Sequence, residues 1–341
     1  MFRLRIGYLI SGIATGCIVL FSFVWTLPDG KLHIVFCDVG QGDAAYIRFP
    51  DGRDMLVDGG PNDRVLACLG KHMPFWDRAI DIVAMTHPQK DHMQGLISVL
   101  ERYSVAYFIR SDVDNTTEGY QKLLDVVKQK KVAVKFATRG ERIRVGASSL
   151  SFVWPSEEQI AKGKQGVQLG YSSSETQGES RSTSAGSSRL RSNNNVLGSS
   201  IVGELNDYSL VFDLHYGTFD ALFTGDADNH VNRQFVGSPL APRSLGEVGQ
   251  ADDRVEVLKV PHHGSKTGMT AAFLDWVNPQ LAVISVGKNS YGHPAGATLA
   301  TLAARAIPVK RTDQDGDIEV VSDGKNWTVK TTRVVGTGGR R

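Results

Sequence analysis

The sequence has few cysteines and almost no net charge. Its 341 residues include three cysteines, Cys17, Cys37 and Cys68, which form neither a CxxC pair nor an even set. That pattern indicates neither a zinc knuckle nor a disulfide framework, and Cys17 and Cys37, each in an apolar run, are expected to be small core or lipid-facing residues. The formal net charge is +2. Nothing in it requires a nucleic-acid partner, so an anionic substrate would have to be attracted locally.

Charge is missing altogether from Ile6 to Leu27, a run that follows Arg3 and Arg5. As a helix, this run is long enough to cross the ~30 Å hydrocarbon core of a bilayer. Basic residues ahead of it favour a cytoplasmic N-terminus and an outward-facing remainder. A cleaved signal peptide is the alternative, but the run is long for one and aromatic residues occupy the place of a small-x-small cleavage site. We expect residues 1–29 to form an uncleaved membrane anchor.

The remaining chain is typical of one large domain. With 41% hydrophobic residues and 36 glycines it can bury a large core and make many tight turns. Patterns of strand and helix alternate until residues 162–203, where Ser, Gly, Asn and Thr dominate. Such a segment buries too little apolar surface to offset the entropy of ordering, so we expect a disordered insertion there, and a shorter irregular loop at 237–254. The domain is predicted to span 30–332, with a basic flexible tail at 333–341.

The densest group of candidate ligands lies in Met-Thr-His-Pro-Gln-Lys-Asp-His-Met-Gln-Gly, residues 85–95. His87, Asp91 and His92 directly follow an apolar run that is typical of a buried strand. The sequence therefore predicts that they lie on a loop at the end of that strand. Imidazole and carboxylate together bind zinc, manganese or iron, whereas the alternative is a surface loop that is merely polar.

Three further apolar strands end in the same kinds of residue. One precedes Asp226, the next precedes His262 and His263, and the third precedes His293. Repetition at strand ends along the chain favours a shared metal site over isolated turns. Asp58 also ends a strand and could orient a metal ligand from behind.

These motifs resemble, in order, the metallo-β-lactamase-type domain of ComEC competence proteins. The matching segments are Asp-Val-Gly-Gln-Gly-Asp (38–43), His-Pro-x-x-Asp-His (87–92), Thr-Gly-Asp (224–226), Leu-Lys-Val-Pro-His-His-Gly-Ser (258–265), Tyr-Gly-His-Pro (291–294) and Arg-Thr-Asp-x-Asp-Gly (311–316). The resemblance implies an α/β (α+β) fold, a four-layer αββα sandwich with metals at one edge, here behind an N-terminal transmembrane helix. In ComEC proteins the domain accompanies a multi-helix DNA channel, which this chain would need as a separate protein.

The resemblance implies that Asp91, His92, Asp226 and His263 hold one zinc or manganese ion. Asp226 would bridge to a second ion, whose site begins at His87.

That second site departs from the family pattern, because Gln89 stands where ComEC relatives usually have Asp and Asn206 stands at the usual third histidine position. Neutral carbonyl oxygens are weaker ligands for a transition metal, so the second site should bind loosely or only with substrate. The sequence does not decide between His262 and His263, and we assign His263. We expect Asp38, Asp58 and His262 to lie behind the ligands and to support them without binding the metal.

A divalent ion with one open position lowers the pKa of bound water toward ~7 and polarises a phosphoryl or acyl oxygen. Asp91 is counted with the catalytic residues, His293 could act as general acid, and Ser265 or Lys266 could hold an oxyanion. The alternative for His293 is a turn histidine fixed by the following proline.

The sequence thus predicts a membrane-anchored, extracytoplasmic, metal-dependent hydrolase, a phosphodiesterase acting on DNA. Its expected partners are DNA, the cytoplasmic membrane and a separate channel protein. Two alternatives stay open. One is a non-catalytic module that binds DNA or an envelope partner, and the other is a hydrolase of a lactam or a phosphocholine-type ester.

Overall fold

Two β-sheets pack face to face in the computed structural model, which describes residues 6–25, 27–172, 204–234, 236 and 255–333. The first sheet contains, in spatial order, β15 (Trp327–Thr331), β14 (Ile318–Ser322), β1 (Leu32–Phe36), β2 (Ala45–Arg48), β3 (Asp54–Val57), β4 (Ala79–Met85), β5 (Ser104–Arg110) and β6 (Ala133–Phe136). The second contains β13 (Val309–Arg311), β12 (Leu281–Ile284), β11 (Val257–Lys259), β10 (Phe219–Phe223), β9 (Val211–Tyr216), β8 (Ser148–Trp154) and β7 (Arg142–Val145).

Some of the described helices cover the outer faces of the two sheets. The helices are α1 (Ile6–Trp25), α2 (Arg64–His72), α3 (Lys90–Arg102), α4 (Glu118–Gln129), α5 (Glu157–Ser172), α6 (Asn229–Asn232), α7 (Ala271–Val277), α8 (Gly296–Ala303) and α9 (Thr312–Asp315). Apolar side chains of α2, α3 and α4 pack on the first sheet, and those of α7 and α8 pack on the second. Between the sheets, Phe36 of β1 stacks on Phe223 of β10 with ring centroids 5.8 Å apart. The layers are therefore helix, sheet, sheet, helix, as in an α/β metallo-β-lactamase-like fold.

Parallel strands form one half of each sheet and antiparallel strands the other. Strands β3 to β6 run parallel in the first sheet, and β10 to β13 run parallel in the second. Loops at the carboxyl ends of parallel strands commonly carry ligand sites. The candidate ligands follow β4, β10 and β11, so the fold gathers them at one edge of the sandwich.

The predicted loop after β4 is wrong in one respect. Helix α3 begins at Lys90, so Asp91 and His92 lie in its first turn rather than on a loop. A carboxylate in the first turn interacts favourably with the partial positive charge of the helix N-terminus. The helix thus fixes both side chains more rigidly than a loop would.

Several predicted segments lie at or beyond the limits of the described chain. The uncharged run forms helix α1, yet within the described residues no helix is both long and apolar enough to cross a membrane. Residues 162–172 belong to α5, and the rest of the predicted insertion, the loop at 237–254 and most of the basic tail lie outside the described residues.

Cys37 and Cys68 form a disulfide with their Cα atoms 5.9 Å apart. Cys37 is a buried core residue, as predicted, but the expectation that no disulfide is present is wrong. The odd cysteine count hid this pair because Cys17, on α1, remains free. The bond joins the end of β1 to α2 across a sequence separation of 31 residues, which corresponds to about 3–4 kcal/mol of loop-closure stabilisation.

Candidate metal centre

Four side chains from three separate elements converge where the two sheets meet. Asp91 and His92 come from α3, Asp226 follows β10 and His263 follows β11, and one ligand atom of each lies within 4.8 Å of the others. His92 Nε2 is 3.2 Å from Asp226 Oδ1, and His263 Nε2 is 3.5 Å from Asp226 Oδ2. Asp91 Oδ2 lies 3.4 Å from His263 Nε2. The tight-site ligands that the family resemblance implied are thus brought together.

Three donor atoms at this centre are buried and lack hydrogen bonds. His92 Nε2, His263 Nε2 and Asp226 Oδ1 have no partner among the described residues. Burying polar atoms without partners costs free energy, which a bound ion would offset. Two imidazoles and two carboxylates are a donor set suited to zinc or manganese. The residues present therefore fit one divalent ion.

The electrostatics of the centre also favour a cation. Burial opposes ionisation of Asp226, yet His263 and His92 hold its pKa well below the usual range. Burial likewise disfavours charged His263, but the carboxylates of Asp226 and Asp43 raise its pKa to about 10. The pKa of His92 is raised well above its usual value by Asp226 and Asp58 against the same burial cost. Both imidazoles thus lie where positive charge is stabilised.

Each ligand imidazole is held from behind through its Nδ1. His92 Nδ1 donates to Asp58 Oδ2 at 2.8 Å, and Asp58 also accepts from Thr86 N and Oγ1, both at 2.7 Å. His263 Nδ1 donates to the carbonyl of Ser285 at 2.9 Å. These bonds fix the tautomer that leaves Nε2 free to bind metal. Asp58 lies where the sequence placed it, behind a ligand.

Three site residues have left-handed backbone conformations that are uncommon outside glycine. Asp58, His262 and His263 have φ angles of 58°, 48° and 50°. Such positions cost of order 1–3 kcal/mol each and persist where the surroundings dictate them. The two histidines follow β11 in a short turn, Pro261–Gly264, and their conformation directs His263 inward and His262 toward the cleft.

The second half of the predicted centre is present but less closely gathered. His87 and Asn206 are buried, and within the described chain His87 Nε2 and Asn206 Oδ1 have no hydrogen-bond partner. The rings of His87 and His92 lie 4.0 Å apart. Burial, followed by repulsion from His92, lowers the pKa of His87 to about 3, which keeps the neutral form that can bind metal. Gln89 is half-buried and lines the cleft. That this half binds more weakly stays a prediction.

The choice between the two adjacent histidines now has a geometric basis. His263 is 1% exposed and approaches both Asp91 and Asp226. His262 is half-buried, donates from Nδ1 to Asp228 Oδ1 at 2.9 Å, and keeps its Nε2 3.8 Å from Asp226 Oδ2. The geometry favours His263 as the ligand.

Some predicted residues lie away from the centre. Asp38 pairs with Arg64 at 3.5 Å and with Arg333 at 2.5 Å. Ser265 Oγ hydrogen-bonds with Thr267 Oγ1 at 3.0 Å. Neither Ser265 nor Lys266 is among the described residues that line the cleft, so the structure does not bring them to the site.

His293 does line the cleft. Burial, then the nearby His262 and His263, hold the pKa of His293 below its usual value. An anionic group beside it would raise that pKa and favour the protonated form that a general acid requires. Its catalytic role stays a prediction.

Sequence reasoning missed a buried pair behind the ligands, Asp43 and Lys259. Lys259 is 4% exposed, forms an ion pair with Asp43 and donates to the carbonyl of Gly225 at 3.0 Å. Asp43 Oδ1 in turn lies 3.3 Å from His263 Nδ1. Burial opposes ionisation of Asp43, but Lys259 and then His263 lower its pKa to about 2. The sequence does contain one signal of this pair, since Lys259 lies inside the apolar strand that precedes His263, where a charged side chain needs a partner.

A cleft of about 770 Å³ opens over the centre. Its lining includes the ligands Asp91, Asp226 and His263 and, nearer the surface, Lys90, Lys288 and Tyr291. The ligands are therefore accessible to a substrate from one side and enclosed by protein on the other.

No family model matches the chain, but comparison with curated proteins finds relatives. ComE operon protein 3 of Bacillus subtilis (strain 168) is 23% identical over 322 residues, which cover 89% of this chain and 35% of that protein. Recombination protein 2 of Haemophilus influenzae is 27% identical over 315 residues, 91% of this chain and 31% of that protein. Competence protein ComA of Neisseria gonorrhoeae is 33% identical over 115 residues, 33% of this chain and 15% of that protein. The chain spans about a third or less of these relatives.

Two solved structures are similar at low identity. The metallo-β-lactamase fold protein YhfI from Bacillus subtilis has a TM-score of 0.46 at 10% identity, covering 82% of this chain and 97% of that one. Zn²⁺-bound PqqB from Methylobacterium extorquens has a TM-score of 0.46 at 12% identity, with the same coverage. Over about nine-tenths of its length this chain is similar to ComE operon protein 3 and to Recombination protein 2, homologues that agree with the ComEC resemblance of its motifs.

Proposed function

We propose that this chain is a metal-dependent phosphodiesterase that cleaves DNA outside the cytoplasmic membrane. The observation that carries the proposal is the convergence of Asp91, His92, Asp226 and His263 within 4.8 Å beneath an open cleft. The names of the relatives, which refer to competence and recombination, support DNA as the substrate.

A divalent ion, zinc or manganese, held by these four residues would supply Lewis acidity to water and to a phosphoryl oxygen. The chain's own residues would do the rest. Asp58 and the carbonyl of Ser285 hold the two imidazoles in one tautomer and orientation. Asp91, whose side chain is 31% exposed, is the ligand most open to the cleft. His293 would donate a proton to the leaving oxygen after an anionic substrate has raised its pKa.

The disulfide supports an outward-facing domain. Disulfides persist in oxidising compartments and are rare in the cytosol. The Cys37–Cys68 bond is therefore expected of a domain held outside the membrane by residues 1–29. A separate channel protein would carry the DNA across that membrane.

The proposal is tested with the 341-residue protein in detergent. Metal content is measured after purification, and cleavage of a fluorescent single-stranded oligonucleotide is followed with zinc or manganese. Asp226→Asn should lose bound metal and cleavage together, whereas the matched control Asp275→Asn, an exposed carboxylate paired with Arg305, should retain both. Tight metal binding without cleavage of any phosphodiester would favour a non-catalytic DNA-binding module, in line with the neutral side chains of Gln89 and Asn206.

A further inference from the structure

A tyrosine stands exposed at the mouth of the cleft. Tyr291 is 74% exposed, and its ring lies 5.8 Å from that of His293 with 33° between the planes. Single exposed aromatics are common on protein surfaces and need no explanation. This one lines the same cleft as the metal ligands, and two further features set it apart.

The first feature is a rigid supporting loop. The Asn289 side chain donates to the carbonyls of Gly287 and His293, both at 2.8 Å, and accepts from the backbone N of Tyr291 and of His293, both at 3.0 Å. Gly287 also packs against the loop that carries Gln41, where an added Cβ would come within 2.5 Å of Gln41 N. The loop is thus braced, and a ligand stacked on the ring would incur little ordering entropy.

The second feature is unneutralised positive charge beside the ring. Lys90, at the start of α3, and Lys288, in the tyrosine loop, both line the cleft and are exposed. Within the described residues neither forms an ion pair. The ammonium groups of lysine bind phosphate oxygens. They would therefore offset the repulsion between a bound phosphate and the carboxylates of the site.

We infer that Tyr291 is a stacking platform for an unpaired nucleobase, with Lys90 and Lys288 binding the phosphates of the same strand. The inference rests on the proposed function and deepens it, because it makes the substrate a single strand or a frayed end. An aromatic face can stack on a base only when that base has left its duplex neighbours. The base would position the adjacent phosphodiester over the metal centre.

Binding is tested without cleavage, using the 341-residue protein in EDTA and fluorescence anisotropy of a labelled thymidine oligonucleotide. Tyr291→Ala should weaken single-strand binding about 5- to 150-fold, the range found for loss of one base–aromatic stack, and Tyr291→Trp should restore it. Tyr107→Ala serves as the matched control, because Tyr107 is 55% exposed on β5 and does not line the cleft.

A strand of the same length built from abasic residues separates stacking from other effects. On that strand Tyr291→Ala should bind as tightly as the parent. Lys288→Gln should weaken binding to both strands, and the slope of the logarithm of affinity against the logarithm of salt concentration should fall by about the contribution of one phosphate contact. Equal losses for Tyr291→Ala on base-bearing and abasic strands, or no loss on either, would overturn the stacking role.

A parallel cleavage assay with manganese distinguishes the two proposals. If the parent cleaves DNA and Tyr291→Ala binds and cleaves as the parent does, the stacking inference fails alone. If the base-dependent loss is found but the parent cleaves nothing, the hydrolase proposal fails and the stacking site stands. If the parent cleaves DNA but binds no strand in EDTA, the stacking inference fails alone, and if it neither binds nor cleaves any strand, both fail.

Discussion

The ammonium of Lys259 and the carboxylate of Asp43 form a buried ion pair directly behind the two imidazole ligands. Asp43 approaches Nδ1 of His263 at 3.3 Å and Nδ1 of His92 at 3.8 Å. The lysine thus neutralises a carboxylate that supports the ligands without itself facing the cleft. The inner side of the metal centre therefore carries a neutral ion pair rather than a lone carboxylate.

Lys259→Met should therefore destabilise the protein. Removing one partner of a buried pair leaves an uncompensated charge and typically costs about 3–5 kcal/mol. Adding Asp43→Asn should recover much of the stability, because the charge left unpaired by the first substitution is then removed. Thermal unfolding of the three proteins measures both effects. If Lys259→Met were as stable as the parent, the ion pair would not contribute to the stability of the fold.

The Cys37–Cys68 disulfide should contribute measurably to stability and should be oxidised in cells. Cys37→Ser together with Cys68→Ser should lower the free energy of unfolding by about 3–4 kcal/mol, since the loop-closure entropy of the unfolded chain returns. Cys17→Ser, which removes the free cysteine, is the matched control. Thiol labelling of freshly lysed cells provides the second measurement, and two reduced thiols there would argue against an outward-facing domain.

His33 should make stability depend on pH. Its Nδ1 lies 2.9 Å from Glu319 Oε1 and its Nε2 3.2 Å from Asp29 Oδ1, so Glu319 and, against the cost of burial, Asp29 raise its pKa above 6.5. The folded state binds this proton more tightly, so the stabilisation is complete below pH 6.5 and is lost as pH rises through the folded pKa.

The carboxylates of Glu319 and Asp29, with lowered pKa values, must stay ionised, which requires a pH above about 4.5. His33→Gln should therefore lower the melting temperature more at pH 5.5 than at pH 8.5, with a stability difference of about 1 kcal/mol or less for this partly exposed group. An equal loss at both pH values would contradict the prediction.

The sequence predicted the strands that precede the candidate ligands, and the convergence of those ligands, because both have local signals. Apolar runs specified strands such as β4 and β11, and the polar residues at their ends specified the candidate ligands. The start of α3 was misplaced because the polar sequence from Lys90 to His92 resembles a loop, and only packing on the sheet shows it to be helical. The pairing of Cys37 with Cys68 and the contact of Lys259 with Asp43 depend on three-dimensional proximity across 31 and 216 residues, which periodicity cannot reveal.

Asp226 should be essential to any tight metal binding, because it is the carboxylate that approaches both imidazoles of the tight site. Its Oδ1 lies 3.2 Å from His92 Nε2 and its Oδ2 lies 3.5 Å from His263 Nε2. Asp226→Ala removes both contacts, so zinc titration of this variant should show no tight step.

Gln89→Asp should strengthen the second half of the centre. That half offers the imidazole of His87 and, at Gln89 and Asn206, only neutral oxygens, although His87 Nε2 and Asn206 Oδ1 are buried without partners in the described chain. A carboxylate at position 89 would add the missing negative charge, whereas Gln94→Asp adds the same charge one turn further along α3 and serves as control. Calorimetric zinc titration should give one tight and one weak step for the parent and for Gln94→Asp, and two closer steps for Gln89→Asp. Two equally tight steps in the parent would show that neutral oxygens suffice and that the two halves are equivalent.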